Sequence, residues 1–373
     1  MSEELLRTPG LVTRGFYGSK KSELVAVVDW VQVTFKTSDF YEVFNDLIGI
    51  QKSHFKKEHK GYFGYNRQLT FGNIKIAFNE FTPKELEEIE KSERFKNDDE
   101  MGYHLILTGS GCRQLDYYLE QRNLTWFDFL DKCLKHRGSF TRLDLAIDDY
   151  KTYFAVENLV KKIKSGEMVS RFRSAFHYEK IEVAQGISAG RTLYIGSPSS
   201  SVRFRLYEKN YEQAYKYNVP VEEIGDWNRY EVQMRDKQAQ KCVQQIIKSE
   251  DLEFVIKSIM NNSFRFVVRG NTKDKRKWKI YRPWNQFVKE ASKISLSIRP
   301  EVKSIEDYMK WIDKQVVNVL NTVLVAEREA KYLGLLKETD WLSGLLASGH
   351  IDKDKRQTIN LFLEELRHKK ELT

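Results

Sequence analysis

The clearest pattern in the chain is a run from Leu24 to Phe35, Leu-Val-Ala-Val-Val-Asp-Trp-Val-Gln-Val-Thr-Phe. It is rich in β-branched and aromatic residues with one early polar interruption at Asp29, and it reads as a buried strand. Similar patterning predicts strands at Ile74 to Asn79, Tyr103 to Thr108, Phe140 to Asp149, Arg191 to Ile195, Ser201 to Lys209 and Trp227 to Arg235. Between them, segments such as Lys84 to Arg94 and Gly111 to Arg122 read as helical or turn. After about Asp251 the strand signal fades, and Asn271 to Lys279 gathers five basic residues around Trp278. Beyond Pro300, Ser304 and Asp307 have capping-box spacing, and Ile305, Met309, Ile312, Val316, Leu320 and Val323 recur at helical intervals. The pattern is α+β: a mainly antiparallel central sheet with flanking helices, plus a helical C-terminal region. It divides into a domain over 1–250, a basic connector over 251–300 and a helical region over 301–373.

Composition narrows the function classes. With 373 residues and 41% hydrophobic positions the chain can bury a core, which excludes disorder as its dominant state. A net charge of +9 favours polyanionic partners. Cys112, Cys133 and Cys242 have no CxxC spacing, so neither a disulfide framework nor a cysteine zinc site is indicated. There is no apolar run of membrane-spanning length and no visible secretion signal, so a cytoplasmic protein without membrane insertion is expected. The absence of GxxxxGK[ST] and GxGxxG excludes a built-in nucleotide motor or dinucleotide site of those types, and the seven histidines contain no HxH or HExxH.

Three segments carry candidate chemistry. In Phe140 to Asp149, strand alternation puts Leu143, Leu145 and Ile147 on one face and Arg142, Asp144 and Asp148 on the other. Two carboxylates on one face suit a hard divalent cation, although pairing of Arg142 with Asp144 would serve as well. In Ser201 to Asn210, Arg203, Arg205, Tyr207 and Lys209 project together. Neighbouring cations favour a phenolate, an oxygen nucleophile able to attack phosphorus, and can hold phosphate oxygens; a tyrosine that merely stacks fits the same pattern. In Trp227 to Arg235, Glu231 can complete a carboxylate site with Asp144 or pair with Arg229 or Arg235. His104 reads as a core histidine, and Thr108 to Cys112 as a strand-to-helix turn. Tyr194 is a competing nucleophile without flanking cations.

In order, Thr-Arg-Leu-Asp-Leu-Ala-Ile-Asp (141 to 148), Thr-Leu-Tyr-Ile-Gly-Ser (192 to 197), Arg-Phe-Arg-Leu-Tyr-Glu-Lys (203 to 209) and Arg-Tyr-Glu-Val (229 to 232) resemble the Rep_trans family, rolling-circle plasmid replication initiators and Gram-positive conjugative-element relaxases. The resemblance covers roughly Val28 to Arg235. It implies an HUH-like, divergent nicking-enzyme core in which a tyrosine attacks the scissile phosphodiester, joins the 5′ end and frees a 3′ hydroxyl. Tyr207 matches the nucleophile position, Asp144 and Glu231 the metal positions for Mg²⁺ or Mn²⁺, with Asp148 as a third. Arg203, Arg205 and Lys209 are expected to hold the scissile phosphate and Arg142 to organise the carboxylates, while Lys275, Arg276 and Lys277 are expected to contact DNA. The implied partners are origin DNA (a transfer origin or a double-strand origin) and a host helicase in a bacterial cytoplasm; separately, the amphipathic C-terminal helices suggest a homodimer.

Within the family, the opening strand and Leu-Thr-Gly-Ser-Gly-Cys look more like conjugative relaxases than small plasmid initiators. The expectation is a relaxase nicking the transfer origin of an integrative conjugative element. Plasmid replication initiation is the close alternative, and a noncatalytic origin-binding protein the alternative from another class. A tyrosine recombinase is disfavoured, because no His-x-x-Arg element precedes a C-terminal tyrosine.

Overall fold

The computed structural model describes residues 24–37, 39–82, 101–289, 312–335 and 341–351, with single positions around the last two segments. Its main element is a sheet of ten strands. In chain order the strands are β1 (Leu24–Phe35), β2 (Lys56–Glu58), β3 (Arg67–Phe71), β4 (Ile74–Phe78), β5 (Tyr103–Leu107), β6 (Ser139–Asp149), β7 (Met168–Ser170), β8 (Ala175–Glu182), β9 (Ile187–Ile195), β10 (Val202–Glu208), β11 (Asn228–Arg235), β12 (Phe264–Val268) and β13 (Lys279–Ile280). The sheet runs β2-β3-β4-β5-β1-β6-β11-β10-β9-β8, with β13-β12-β7 forming a smaller one. Every neighbouring pair in the large sheet is antiparallel. The expected α+β architecture with a mainly antiparallel sheet is therefore observed.

Strand alternation divides the sheet chemically. Leu143, Leu145 and Ile147 of β6, Phe204 and Leu206 of β10, and Tyr230, Val232 and Met234 of β11 all enter one hydrophobic core. The Lys237–Ser249 helix closes over it with Ala239, Cys242, Val243 and Ile246, spaced i, i+3, i+4 and i+7 along one stripe. The Leu252–Ser263 helix follows, with Asp251 accepting from the Phe254 backbone N–H at its start, and adds Val255, Ile256, Ile259 and Met260. Each such side chain taken fully out of water contributes about 1.5–3 kcal/mol. The opposite face of β6, β10 and β11 carries the polar residues.

The boundaries expected after residue 250 need correction. The chain divides into compact units at Ser297/Ile298, and 251–289 belongs to the first as core, not as a connector. Phe264, Phe266, Trp284 and Phe287 are buried there. Lys275, Arg276 and Lys277 form an exposed single helical turn in which Arg276 pairs with Asp274 at 2.9 Å, beside the small sheet. In the second unit, a π-helical turn (Ile312–Val316) leads into the Val317–Tyr332 helix, and Trp341–Ala347 forms another. The helical or turn segment expected at Lys84 to Arg94, and Ser304 with Asp307, lie outside the described residues.

His104 sits on the polar face and is only 4% exposed. Its Nδ1 lies 2.8 Å from Thr34 Oγ1 and its ring stacks on Tyr65, so it is a packed histidine as expected. Burial lowers its pKa to about 4. The unfolded chain therefore binds this proton first, and stability present above pH 6.5 is lost as pH falls from 6.5 towards 4, by about 3 kcal/mol across the window. His104→Gln is expected to flatten the profile in that range, as read from urea midpoints at pH 7 and pH 4.

Candidate active site

Register brings the candidate residues together. Arg205 of β10 lies opposite Glu231 of β11, and Gln233 of β11 lies opposite Asp144 of β6. On the other side, Trp30 of β1 lies opposite Asp144, and a bulge between Val28 and Trp30 leaves Asp29 as the extra residue. A bulge re-aims a side chain locally, and here Asp29 borders the same cleft as Asp144 and Glu231. The cleft holds about 360 Å³ and is walled by the start of the Gly109–Gln121 helix and by the Lys209–Tyr217 helix. Six basic residues line it against four acidic ones, so its net charge suits a phosphodiester.

Tyr207 is 2% exposed, and its hydroxyl donates to Glu231 Oε1 at 2.8 Å. The Arg205 guanidinium lies 3.8 Å over the Tyr207 ring and 3.5 Å from Glu231 Oε2, and Lys209 Nζ is 5.4 Å from the same ring. Lys209 also contacts Glu212. The nearby cations do not produce a phenolate at rest. Burial, and then the charge of Glu231, push the Tyr207 hydroxyl well above the usual phenol range, outweighing Arg229 and Arg205. Burial also raises Glu231, which makes its carboxylate a stronger base than an exposed one. Lys209 is lowered, first by burial and then by Arg229.

Asp144 is held by Arg142, with Nε to Oδ1 at 3.0 Å and Nη2 to Oδ2 at 2.6 Å, while the guanidinium stacks 3.9 Å from the Trp30 ring. Burial nevertheless raises the Asp144 carboxyl. Asp148 is placed differently. Arg229 Nε and Nη2 reach its two oxygens at 2.6 and 2.7 Å, and Trp227 Nε1 donates at 2.7 Å. What separates Asp148, the expected third ligand, from Asp144 and Glu231 is that it does not line the cleft; it lies in a buried ion pair with Arg229 behind it. Arg203 lies in an adjoining hollow rather than in the Tyr207 cleft, and Lys275, Arg276 and Lys277 line neither.

The residues present suit a hard cation in donor chemistry, since Asp144, Glu231 and Asp29 offer only carboxylate oxygens. Among the described residues no three Asp, Glu, His or Cys side chains close into a chelating cluster. The fit is thus an open set of carboxylates rather than a cage.

A scan against family models matches the Replication initiation factor family, Rep_trans, over residues 138–346. The chain belongs to this family. Residues 25–132 match the rolling circle replication initiation protein N-terminal domain. A protein of Bacillus subtilis (strain 168) named as the DNA relaxase NicK is 33% identical over 346 residues, covering 93% of this chain and 92% of its own. A solved structure of a rolling circle replication initiator protein from Geobacillus stearothermophilus aligns with a TM-score of 0.60 at 29% identity, over 74% of this chain and all of that one. The Rep_trans match begins just before β6 and so takes in Asp144, Tyr207 and Glu231, whereas Asp29 falls in the N-terminal match. Its signal in the sequence was a lone acidic residue inside an apolar strand.

Proposed function

We propose that this Rep_trans protein is a relaxase that nicks one strand of an origin by tyrosine transesterification. The observation that carries the proposal is the Tyr207 hydroxyl, hydrogen-bonded at 2.8 Å to Glu231 inside a cation-lined cleft. Tyr207 Oη attacks the scissile phosphorus and gives its proton to Glu231 as the P–O3′ bond breaks. The 3′ oxygen leaves, takes up a proton and becomes a free hydroxyl, while the 5′ phosphate remains on Tyr207. Arg205 and Lys209 sit where they can pair with the nonbridging oxygens as charge builds. The phosphotyrosine conserves bond energy, so a 3′ hydroxyl can later displace Tyr207 and reseal the strand.

Asp144 and Glu231, with Asp29 in place of Asp148, would hold Mg²⁺ or Mn²⁺, which when bound polarises the scissile phosphate and offsets the carboxylate charge. A bound cation stabilises the folded chain by about 2.7 kcal/mol at a concentration of 100 Kd. Mn²⁺ is expected to raise the melting temperature by several degrees, and Asp144→Asn and Glu231→Gln each to remove most of that rise. An undiminished rise in both variants would place the cation elsewhere.

Transfer-origin nicking of an integrative conjugative element is favoured because the relaxase relative aligns over almost the whole chain. Initiation at a double-strand origin is the second reading, supported by the solved initiator. With no GxxxxGK[ST] in the chain, unwinding falls to a host helicase, and a homodimer is the proposed assembly. Among the described residues no helix is long and apolar enough to cross a membrane.

A further inference from the structure

Next to the Tyr207 cleft lies a hollow of about 210 Å³ that the reaction so far described does not use. By liquid volume it has room for about seven waters, and hence for a phosphodiester with part of its sugar. Arg142, Asp144, Arg205 and Glu231 line both spaces, whereas Tyr207 lines only the cleft, and Arg203 and Tyr194 line only the hollow. The Arg203 guanidinium lies 4.0 Å over the Tyr194 ring, and Tyr178 packs its ring edge-on to Tyr194 at 5.8 Å. The stack fixes the guanidinium without neutralising it, because among the described residues no carboxylate pairs with Arg203. Its Nε, like that of Arg205, is buried with no hydrogen-bond partner among the described residues. A buried donor without an acceptor is costly and marks a place where an acceptor belongs. Gln233 adds an amide to the same wall.

Direction follows from the order of the groups. Displacement at phosphorus runs in line, with the attacking and leaving oxygens on opposite sides. With the scissile phosphorus held over the Asp144 and Glu231 carboxylates, as the proposed reaction requires, Tyr207 attacks from the cleft side and the 3′ oxygen departs on the hollow side. Resting on the proposed nicking reaction, we infer that the Arg203–Tyr194 hollow binds the backbone phosphate next to the departing 3′ hydroxyl and holds that end for resealing. Arg203 is a strand-positioning residue in this role, and Tyr194 is the platform that orients it. The ligand is the sugar-phosphate backbone of single-stranded DNA on the 3′-hydroxyl side of the nick.

The test separates the two product strands. Once the nick is mapped with wild-type protein, fluorescence anisotropy is measured with two short oligonucleotides, one ending in the 3′ hydroxyl and the other beginning at the 5′ phosphate. For the full chain carrying Arg203→Gln, the expected result is about a tenfold weaker affinity for the 3′-hydroxyl strand and less than a twofold change for the 5′ strand. Arg203→Lys, which keeps the charge and loses the planar fork, is expected to fall between the two. In parallel, resealing of the preformed adduct by the 3′-hydroxyl oligonucleotide should show a raised KM. Equal losses on both strands, or a loss confined to the 5′ strand, would overturn the assignment of the hollow. Failure of wild-type protein to nick any origin strand would instead overturn the reaction on which the inference rests.

Discussion

Tyr207→Phe is expected to lower origin nicking by roughly 10⁴-fold or more, because in the proposed reaction its hydroxyl oxygen is the atom that bonds to phosphorus, and phenylalanine leaves no substitute nucleophile on that ring. The fold should survive. The substitution deletes one hydroxyl that donates to Glu231 at 2.8 Å, leaving that carboxylate oxygen unpaired, and keeps the ring under Arg205 intact, for a cost of about 1–3 kcal/mol. Supercoiled origin plasmid incubated with Mg²⁺ or Mn²⁺ and resolved on a denaturing gel measures the effect. An adduct formed at the wild-type rate would remove Tyr207 as the nucleophile and make Tyr194 the next candidate.

Asp148→Ala is expected to cost about 3–5 kcal/mol of stability, the largest structural effect of any carboxylate on the polar face. Asp148 is 4% exposed and Arg229 6% exposed, so the substitution strands a guanidinium that burial keeps from water. Asp29 Oδ1 would remain as its partner at 3.0 Å, and the indole N–H of Trp227 would lose its acceptor. Asp29→Ala is the matched comparison. It leaves both Asp148 bonds to Arg229 in place and is expected to cost markedly less, while weakening cation binding in the cleft. Urea midpoints and Mn²⁺ titrations on the two variants give the check. A stable Asp148→Ala protein that has lost its cation would reverse the assignment.

Much of the site was legible because strand alternation is a local property. The patterns around Asp144, Tyr207 and Glu231 each put the candidate side chain opposite an apolar face, and β6, β10 and β11 lie side by side in the sheet. What was not legible depends on register and on burial. The pairing of Arg229 with Asp148 follows from their being opposite one another across β11 and β6, which neither segment reveals alone. Asp29 joins the cleft through a bulge, and one polar residue in an apolar run does not announce a bulge. The neighbouring cations suggested a phenolate, yet burial of Tyr207 with Glu231 reverses the balance. The stretch after residue 250 departs from its local pattern for a similar reason: beside its basic run, Phe264 to Val268 is a short strand whose burial depends on the Leu252–Ser263 helix and Trp284.

The most direct test of the central claim is to trap the nicked complex, digest both protein and DNA, and identify the nucleotide-bearing peptide by mass spectrometry. The expected result is a single adduct, with the 5′ phosphate on Tyr207 in the peptide that continues from Leu206, and none when Mg²⁺ and Mn²⁺ are withheld. A phosphodiester link on Tyr194 or any other residue, or a nick whose 5′ end carries no protein, would contradict it.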